Sequence, residues 1–262
     1  ESFMAVRYLT ETYGETAIVH LISDFSRRGN LSMGLEESAG ISYPEFETQF
    51  NTWLAEEEPT DSYYKRGRDY YSAGEYQRAI GELSVLIEIE PSNDGAYDTR
   101  GLAHYQLEEY QLSIADFDES IRLEQRPGRF TNRGSSYHNL GQYQRAIQDF
   151  DEAIRFDAGY ANAYGWRGNS YYGLEQYQKA VDSYGTAVLL EPTANRLTSR
   201  GTGYYRLEQY QRAIGDFDEA VRLDPNYATA YSWRASTYNK LGHAQRERVD
   251  RDKACSLSRR YC

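Results

Sequence analysis

Six arginines recur at steps of 33 or 34 residues, and an acidic residue follows each of them about sixteen residues later. The arginines are Arg66, Arg100, Arg133, Arg167, Arg200 and Arg234, and the acids are Glu82, Asp116, Asp149, Asp182, Asp216 and Asp250. A guanidinium group pairs well with a carboxylate through two parallel hydrogen bonds. A row of arginines without partners would instead bind an anion. Because an acid accompanies every arginine, we predict a ladder of structural salt bridges.

The four histidines, His20, His104, His138 and His243, are scattered, and none has a second histidine three or four residues away. A zinc peptidase of the H-E-x-x-H type needs two histidines and a glutamate on one helix face. The chain has no such motif. We therefore predict no catalytic residue, no metal site and no cofactor. His20, in the apolar run AIVHLI, is interpreted as a hydrogen-bonded core residue.

Cys255 and Cys262 are the only cysteines and lie seven residues apart. In a continuous helix their α-carbons would be about 10 Å apart, which is too far for a disulfide. If the helix ends near Leu257, the tail SRRYC folds back and closes a bridge. Such a bridge would hold the end of the fold together and indicate an oxidising compartment. The alternative is two unrelated thiols in a cytosolic tail.

The arginines and acids of the predicted salt bridges lie in a repeated unit of the sequence. Residues 109–123, 142–156 and 209–223 read EYQLSIADFDESIRL, QYQRAIQDFDEAIRF and QYQRAIGDFDEAVRL, and are near copies. A small residue follows each arginine of the row, at Gly67, Gly101, Gly134, Gly168, Gly201 and Ala235. A constant period of this length predicts a solenoid of stacked supersecondary units.

Each unit contains two segments of roughly thirteen residues in which apolar residues recur at spacings of three and four, so both are predicted helices. Pro91, Pro127, Pro192 and Pro225 stand between units, where a missing N–H and a fixed φ end a helix. Each repeat is therefore a helical hairpin. The small residues allow its helices to approach, and Leu83, Phe117, Phe150, Tyr184 and Phe217 supply core bulk.

The order of small residue, aromatic residue, alanine and proline over residues 60–257 resembles the tetratricopeptide repeat. The resemblance implies an all-α, right-handed superhelix, an alpha solenoid of antiparallel hairpins with a concave groove that binds other proteins. We place the repeats at 60–93, 94–126, 127–160, 161–193, 194–227 and 228–262. The last one is a polar cap, because Glu247, Arg248 and Arg251 replace apolar positions.

Residues 1–59 do not fit the repeat and are predicted to form a separate small helical segment. Ser42 and Glu45 give the signature of a capping box. The stretches ESFMAVRYLTETYG and LEESAGISYPEFETQFNTWL resemble the closing helices of the peptidase MA-like (gluzincin) domain. This resemblance implies that the catalytic part of a secreted bacterial zinc metallopeptidase lay upstream. The localisation is left unknown, with an extracellular or cell-envelope site in a bacterium favoured.

The net charge of −11 is unevenly distributed, with −8 in residues 1–60 and −3 in residues 61–262. With no basic stripe and a pI near 5.0, binding to a phosphate backbone is not expected. The sequence also has no apolar stretch long enough to span a membrane. Nucleic acid and membrane are therefore excluded as predicted partners.

The resemblance implies that the first helix of each repeat lines the groove. The predicted partner-binding residues are Tyr71, Tyr105, His138, Tyr172 and Tyr205, with Ser135, Asn169 and Thr202 beside them and Trp166 and Trp233 at an exposed rim. Tyrosine suits an extended peptide or a sugar chain. Alternatively, some of these tyrosines only pack between adjacent first helices.

We thus predict a non-catalytic scaffold for protein–protein interaction, with a glycan as another possible ligand. The alternatives are the metallopeptidase fragment and a self-assembling subunit of an extracellular filament. In that filament the acidic N-terminal segment would meet Arg246, Arg248 and Arg251 of a neighbour.

Overall fold

A computed structural model describes residues 8–9, 11–14, 42, 44–46, 48–49, 52 and 60–262. Residues 60–262 contain helices and turns and no strand. The predicted all-α class is therefore confirmed for this part of the chain.

Twelve helices lie between residues 60 and 257 and form six consecutive hairpins. They are α1 (Thr60–Ser72) and α2 (Tyr76–Ile89); α3 (Asp94–Gln106) and α4 (Tyr110–Leu123); α5 (Pro127–Asn139) and α6 (Tyr143–Phe156); α7 (Ala161–Gly173) and α8 (Tyr177–Leu190); α9 (Ala194–Arg206) and α10 (Tyr210–Leu223); and α11 (Ala228–Lys240) and α12 (Ala244–Leu257). A 3₁₀ helix, Arg259–Tyr261, follows.

The two helices of a hairpin approach closely because a glycine in the first faces a bulky side chain in the second. A Cβ built on Gly168 would lie 2.5 Å from Cδ1 of Tyr184, and one on Gly201 would lie 2.6 Å from Cε1 of Phe217. Phe217 is fully buried and Tyr184 nearly so. A larger residue at either glycine would push the helices apart.

The turn inside each hairpin passes through one residue in the left-handed region. This residue is a glycine in three hairpins, at Gly74, Gly141 and Gly242, and a glutamate in the other three, at Glu108, Glu175 and Glu208. A positive φ ends the first helix and reverses the chain. The turn therefore has one geometry throughout, although its sequence varies.

The chain divides into two compact units, Glu1–Glu124 and Gln125–Cys262. In the first unit, Tyr8, Leu9 and Phe46 belong to the same apolar cluster as Tyr63 and Leu83 of the first hairpin. The second unit contains α5 to α12, and each hairpin there packs against the next through its second helix.

Few of the predictions for residues 1–59 fall on described residues. Glu45 accepts hydrogen bonds from the backbone N–H and the hydroxyl of Ser42, at 3.2 and 2.9 Å. The backbone bond, and then the hydroxyl bond, lower the pKa of Glu45. This is the glutamate half of the predicted capping box. His20 and most of the two peptidase-like stretches lie outside the described residues.

The chain folds back after α12, which ends at Leu257, and Cys255 and Cys262 are joined by a disulfide. Residues 258–261 after α12 have the same backbone hydrogen bond as residues 224–227, which connect α10 to α11: the N–H of Tyr261 donates to the carbonyl of Ser258, as that of Tyr227 does to Asp224. Tyr227 lies just before α11, and its hydroxyl donates to Oδ1 of Asn195; Tyr261, 34 residues later, shares a hydrogen bond with the hydroxyl of Thr229. The bridge thus fixes the tail against the last hairpin.

Reduction of this bridge should release the tail without unfolding the hairpins. A cross-link acts mainly by restricting the chain, and here it closes only a short loop. We expect a reductant to increase hydrogen exchange at residues 258–262 and to leave α7 unchanged, as measured by mass spectrometry. The sequence has no other cysteine, so the reductant acts on this bond alone. Unchanged exchange in the tail would show that the bond to Thr229 suffices.

Candidate functional site

The arginine row is held by carboxylates of the second helices. Arg133 donates from Nε and Nη2 to the two oxygens of Asp149, at 2.9 and 2.6 Å. The same two-bond arrangement joins Arg100 to Asp116, Arg200 to Asp216 and Arg234 to Asp250, and Arg66 contacts Glu82 at 2.8 Å. These guanidinium groups are therefore committed to partners within the chain.

Three arginines also contact the preceding hairpin, sixteen residues earlier. Nη1 of Arg234 donates to Asp218 at 2.6 Å, and Nη1 of Arg167 donates to Asp151 at 2.6 Å. In the first unit, Nη1 of Arg100 donates to the hydroxyl of Ser84 at 2.9 Å. These arginines therefore connect successive hairpins as well as the two helices of one hairpin.

The predicted pairing of Arg167 with Asp182 is wrong. Asp182 lies fifteen residues after Arg167, and the residue at sixteen is Ser183, whose hydroxyl accepts from Nε of Arg167 at 3.2 Å. One residue along a helix turns the side chain by about 100°. Asp182 is exposed and accepts from Nε2 of Gln178 instead.

The predicted groove aromatics pack inside their own hairpins. Tyr71, Tyr105, His138, Tyr172 and Tyr205 each lie 5.2–5.7 Å, between ring centroids, from the tyrosine that begins the second helix. All five are partly buried. The hydroxyl of Tyr172 also accepts from Nε of Arg206 at 2.8 Å. Their first role is therefore packing, with only part of each ring exposed.

The two tryptophans predicted at an exposed rim are partly buried. Trp166 is partly buried between His138 and Phe150, with centroids at 5.4 and 6.4 Å. Trp233 lies edge-on to Tyr205 at 5.5 Å. Both fill space between successive hairpins.

The small polar residues of the predicted groove differ in their placement. Ser135 is buried and donates to the carbonyl of Asn132 at 2.7 Å, so its prediction as a partner contact is wrong. Thr202 is partly buried and donates to the carbonyl of Ser199. Asn169 lines a cleft together with a second predicted residue, Trp166.

This cleft, of about 430 Å³, lies between α7 and α9 in the second unit. It is lined by Asn162, Gly165, Trp166, Asn169, Tyr184, Glu191, Thr193, Asn195, Arg196 and Ser199. The residues from α7 recur at spacings of three and four, so they share one face of that helix. Three asparagines from two successive first helices therefore face one space.

Each asparagine carbonyl of this cleft already accepts a hydrogen bond from the chain. Oδ1 of Asn169 accepts from the hydroxyl of Tyr184 at 2.8 Å, Oδ1 of Asn195 from that of Tyr227 at 3.0 Å, and Oδ1 of Asn162 from Nη2 of Arg196 at 2.7 Å. Arginine only donates, which fixes the orientation of the Asn162 amide. The three Nδ2 groups have no partner in residues 60–262.

The hydroxyls that hold the asparagines stay protonated. Burial raises the pKa of Tyr184 above its ordinary value, and burial is also the main cause of the raised pKa of Tyr227. Arg196 is kept in place by Glu191, through its side chain at 2.6 Å and its carbonyl at 3.0 Å. The cleft therefore presents amide donors on a fixed frame. The prediction from the sequence missed Asn162, Asn195 and Arg196, because they lie in the first turn of their helices, outside the positions considered.

A second cleft, of about 360 Å³, lies in the last hairpin and is lined by Tyr205, Asn239, Glu247, Arg251 and Tyr261 among others. Glu247 and Arg251 occupy the positions of the buried Ala213 and Phe217 in the preceding hairpin, and they form an ion pair at 2.8 Å. The apolar core is thus replaced by a charged pair, as the predicted polar cap requires.

His138 is expected to make stability depend on pH. Burial lowers its pKa below the ordinary value of 6.5, so the neutral ring is favoured in the folded chain. The unfolded chain then binds more protons, and stability falls as pH decreases through 6.5 toward the lowered pKa. His138→Tyr, the residue of four equivalent positions, should flatten this dependence in melts between pH 7.5 and 5. An identical pH dependence in the variant would contradict the assignment.

Within the described residues, no group of three or more histidine, cysteine or acidic side chains is placed to hold a metal ion. None of the helices described there is long and apolar enough to cross a bilayer.

All the family models that match this chain describe the same repeat. Models described as TPR repeat match residues 134–174 and 201–242, and models described as tetratricopeptide repeat match residues 64–129 and 161–194. Together these ranges cover more than half of the chain. A search of the curated proteins gives no match.

Solved structures share the fold at low identity. The Cut9–Hcn1 hetero-tetramer of APC/C matches with a TM-score of 0.66 and 16% identity over 97% of this chain, which spans 48% of that one. PilF of Pseudomonas aeruginosa matches at 0.66 and 16% identity, covering 76% of this chain and 91% of its own. YrrB, described as a TPR protein with an unusual peptide-binding site, matches at 0.56 and 20%, covering 69% and 95%.

Proposed function

The chain belongs to the tetratricopeptide repeat family, whose members generally act as non-catalytic scaffolds for protein–protein interaction, and we propose that it binds an extended protein segment in the cleft between α7 and α9. The three asparagine amides carry this proposal. Their carbonyls are held by Tyr184, Tyr227 and Arg196, and their N–H groups are left to donate. The description of YrrB as a peptide-binding TPR protein is consistent with it.

An extended peptide fits these donors because its backbone offers carbonyl oxygens at regular intervals of about 3.3 Å per residue. Amide donors bind such oxygens without requiring a particular side chain. Trp166 lies at the same cleft and adds an apolar surface. The specificity of the partner then comes from side chains beside the bound backbone. The predicted tyrosine positions can contribute through the exposed part of their rings.

The test uses a phage-displayed library of random twelve-residue peptides selected on the full chain. The variant Asn169→Asp with Asn195→Asp keeps the oxygens that Tyr184 and Tyr227 need and removes the amide donors. Each lost hydrogen bond costs about 1 kcal/mol, so selected peptides should bind at least tenfold more weakly. Fluorescence anisotropy with labelled peptides measures this.

The matched control is Gln148→Glu with Asn226→Asp, which makes the same change of net charge at exposed positions. It should bind within twofold of the wild type. Selection of no peptide at all, or equal loss of affinity in both variants, would contradict the proposed function.

The other hypotheses are not favoured by any particular contact in the described residues. The metallopeptidase fragment depends on the resemblance of residues 1–58, most of which lie outside that part. The filament and the glycan ligand likewise stay hypotheses. A gene sequence that encodes an upstream H-E-x-x-H helix would support the metallopeptidase hypothesis.

A further inference from the structure

A row of cations lies at the tips of the hairpins in the second unit. Arg145, Lys179, Arg212 and Arg246 each occupy the third position of a second helix, at steps of 34, 33 and 34 residues. All four are exposed. We define them as the tip row.

Each cation of the tip row lies over a tyrosine of its own first helix. The distances to the ring centroids of Tyr137, Tyr171, Tyr204 and Tyr238 are 5.7, 5.5, 5.6 and 5.6 Å. Such cation–π contacts hold a long side chain in one position without neutralising its charge. The row is therefore ordered before any ligand binds.

None of the four cations of the tip row forms an ion pair with a carboxylate of residues 60–262. Arg145 and Arg212 donate to the neutral side chains of Gln142 and Gln209, each at 2.9 Å. In the first unit the equivalent Arg78 contacts the carboxylate of Glu75, and the next equivalent is the exposed Leu112. The two hairpins between residues 60 and 124 therefore do not continue the row.

The spacing of the tip row follows from the packing of the hairpins. The tyrosines under the cations belong to the first helices α5, α7, α9 and α11, which contact one another in sequence, so equivalent positions of these helices lie about 8–10 Å apart. Each cation lies 5.5–5.7 Å from the ring centroid of its tyrosine, so the cations repeat from hairpin to hairpin with a spacing on the order of 10 Å. An extended peptide rises about 3.3 Å per residue, so every third residue advances by about 10 Å. Carboxylates at every third position would match the cations one to one.

We propose that the tip row binds an extended acidic peptide of a partner protein, with one carboxylate for each hairpin. This surface is separate from the cleft between α7 and α9, and the proposal does not depend on that cleft. The turns also carry Glu175 and Glu208, which are exposed. These two acids disfavour a densely charged polyanion such as nucleic acid and favour a ligand with sparse carboxylates.

The experiment measures binding of the labelled peptide (Glu-Gly-Ser)₄ by fluorescence anisotropy, with (Gln-Gly-Ser)₄ as the neutral comparison. The tip variant changes Arg145, Lys179, Arg212 and Arg246 to Gln. The control variant changes four other exposed cations of the same unit, Arg155, Arg222, Arg248 and Lys253, to Gln. Melting curves verify that both variants are folded.

The wild type should bind the acidic peptide at least tenfold more tightly than the neutral one, and more weakly as salt is raised from 50 to 300 mM. The tip variant should lose at least tenfold in affinity and the control less than threefold. Lys179→Glu with Arg212→Glu should gain binding to (Lys-Gly-Ser)₄. Equal losses in the tip and control variants, or tighter binding of a single-stranded oligonucleotide of equal charge, would overturn the proposal.

Discussion

Gly168→Ala should destabilise the chain by about 3 kcal/mol, the upper end of the range for an overpacked core. The new Cβ would lie 2.5 Å from Cδ1 and 2.6 Å from Cε1 of Tyr184, distances that force the ring or the helix to move. Movement of the ring would also break the bond from its hydroxyl to Asn169. Urea denaturation followed by circular dichroism measures the change.

Gly165→Ala in the same helix is the matched control. No atom lies within 4 Å of a Cβ at Gly165, so the substitution should stabilise α7 by about 0.5–1 kcal/mol through helix propensity. The two variants differ only in what the added methyl group meets. Equal effects would show that the close approach of α7 and α8 does not limit the fold.

Asp149→Asn should destabilise the chain by about 3 kcal/mol. The carboxylate is 7% exposed and holds both donors of Arg133, whose side chain is 21% exposed. The substitution removes the carboxylate charge that pairs with both donors of a poorly hydrated guanidinium, and breaking a fully buried pair costs about 3–5 kcal/mol. We take the lower end because Arg133 keeps some solvent contact.

The control for this prediction is Glu152→Gln in the same helix. Glu152 pairs with Arg155, but these side chains are 46% and 62% exposed. Exposed pairs contribute little, so the loss should stay below about 0.5 kcal/mol. A loss at Glu152 as large as that at Asp149 would show that the ladder stabilises only through net charge.

The sequence was sufficient to predict the hairpins and most of the ladder because both depend on a repeated period. In the first five hairpins, the glycine after the arginine and the bulky residue of the second helix meet in space as that period requires. Arg167 shows the limit of this reasoning. A shift of one residue, from Ser183 to Asp182, changes the helix face, and the partner came from the preceding hairpin instead.

The cleft could not be predicted from the period alone. Asn162 is held by Arg196, which lies in the next hairpin, and the equivalent positions of the two adjacent hairpins hold alanines, Ala163 and Ala230. The tip row was likewise not predicted, because the sequence was interpreted as having no basic stripe. Its cations and tyrosines recur with the period, but the distance between them required the structure.

The central claim is that the asparagine amides of the second unit donate to a bound peptide backbone. The most direct measurement is a ¹H–¹⁵N correlation spectrum of the full chain, titrated with a peptide selected from the random library. Side-chain Nδ2–H₂ signals of Asn162, Asn169 and Asn195 are observed individually in it. We predict that Asn169 and Asn195 shift in a saturable manner with the peptide. Saturable binding that leaves all three amide signals unmoved would contradict the account.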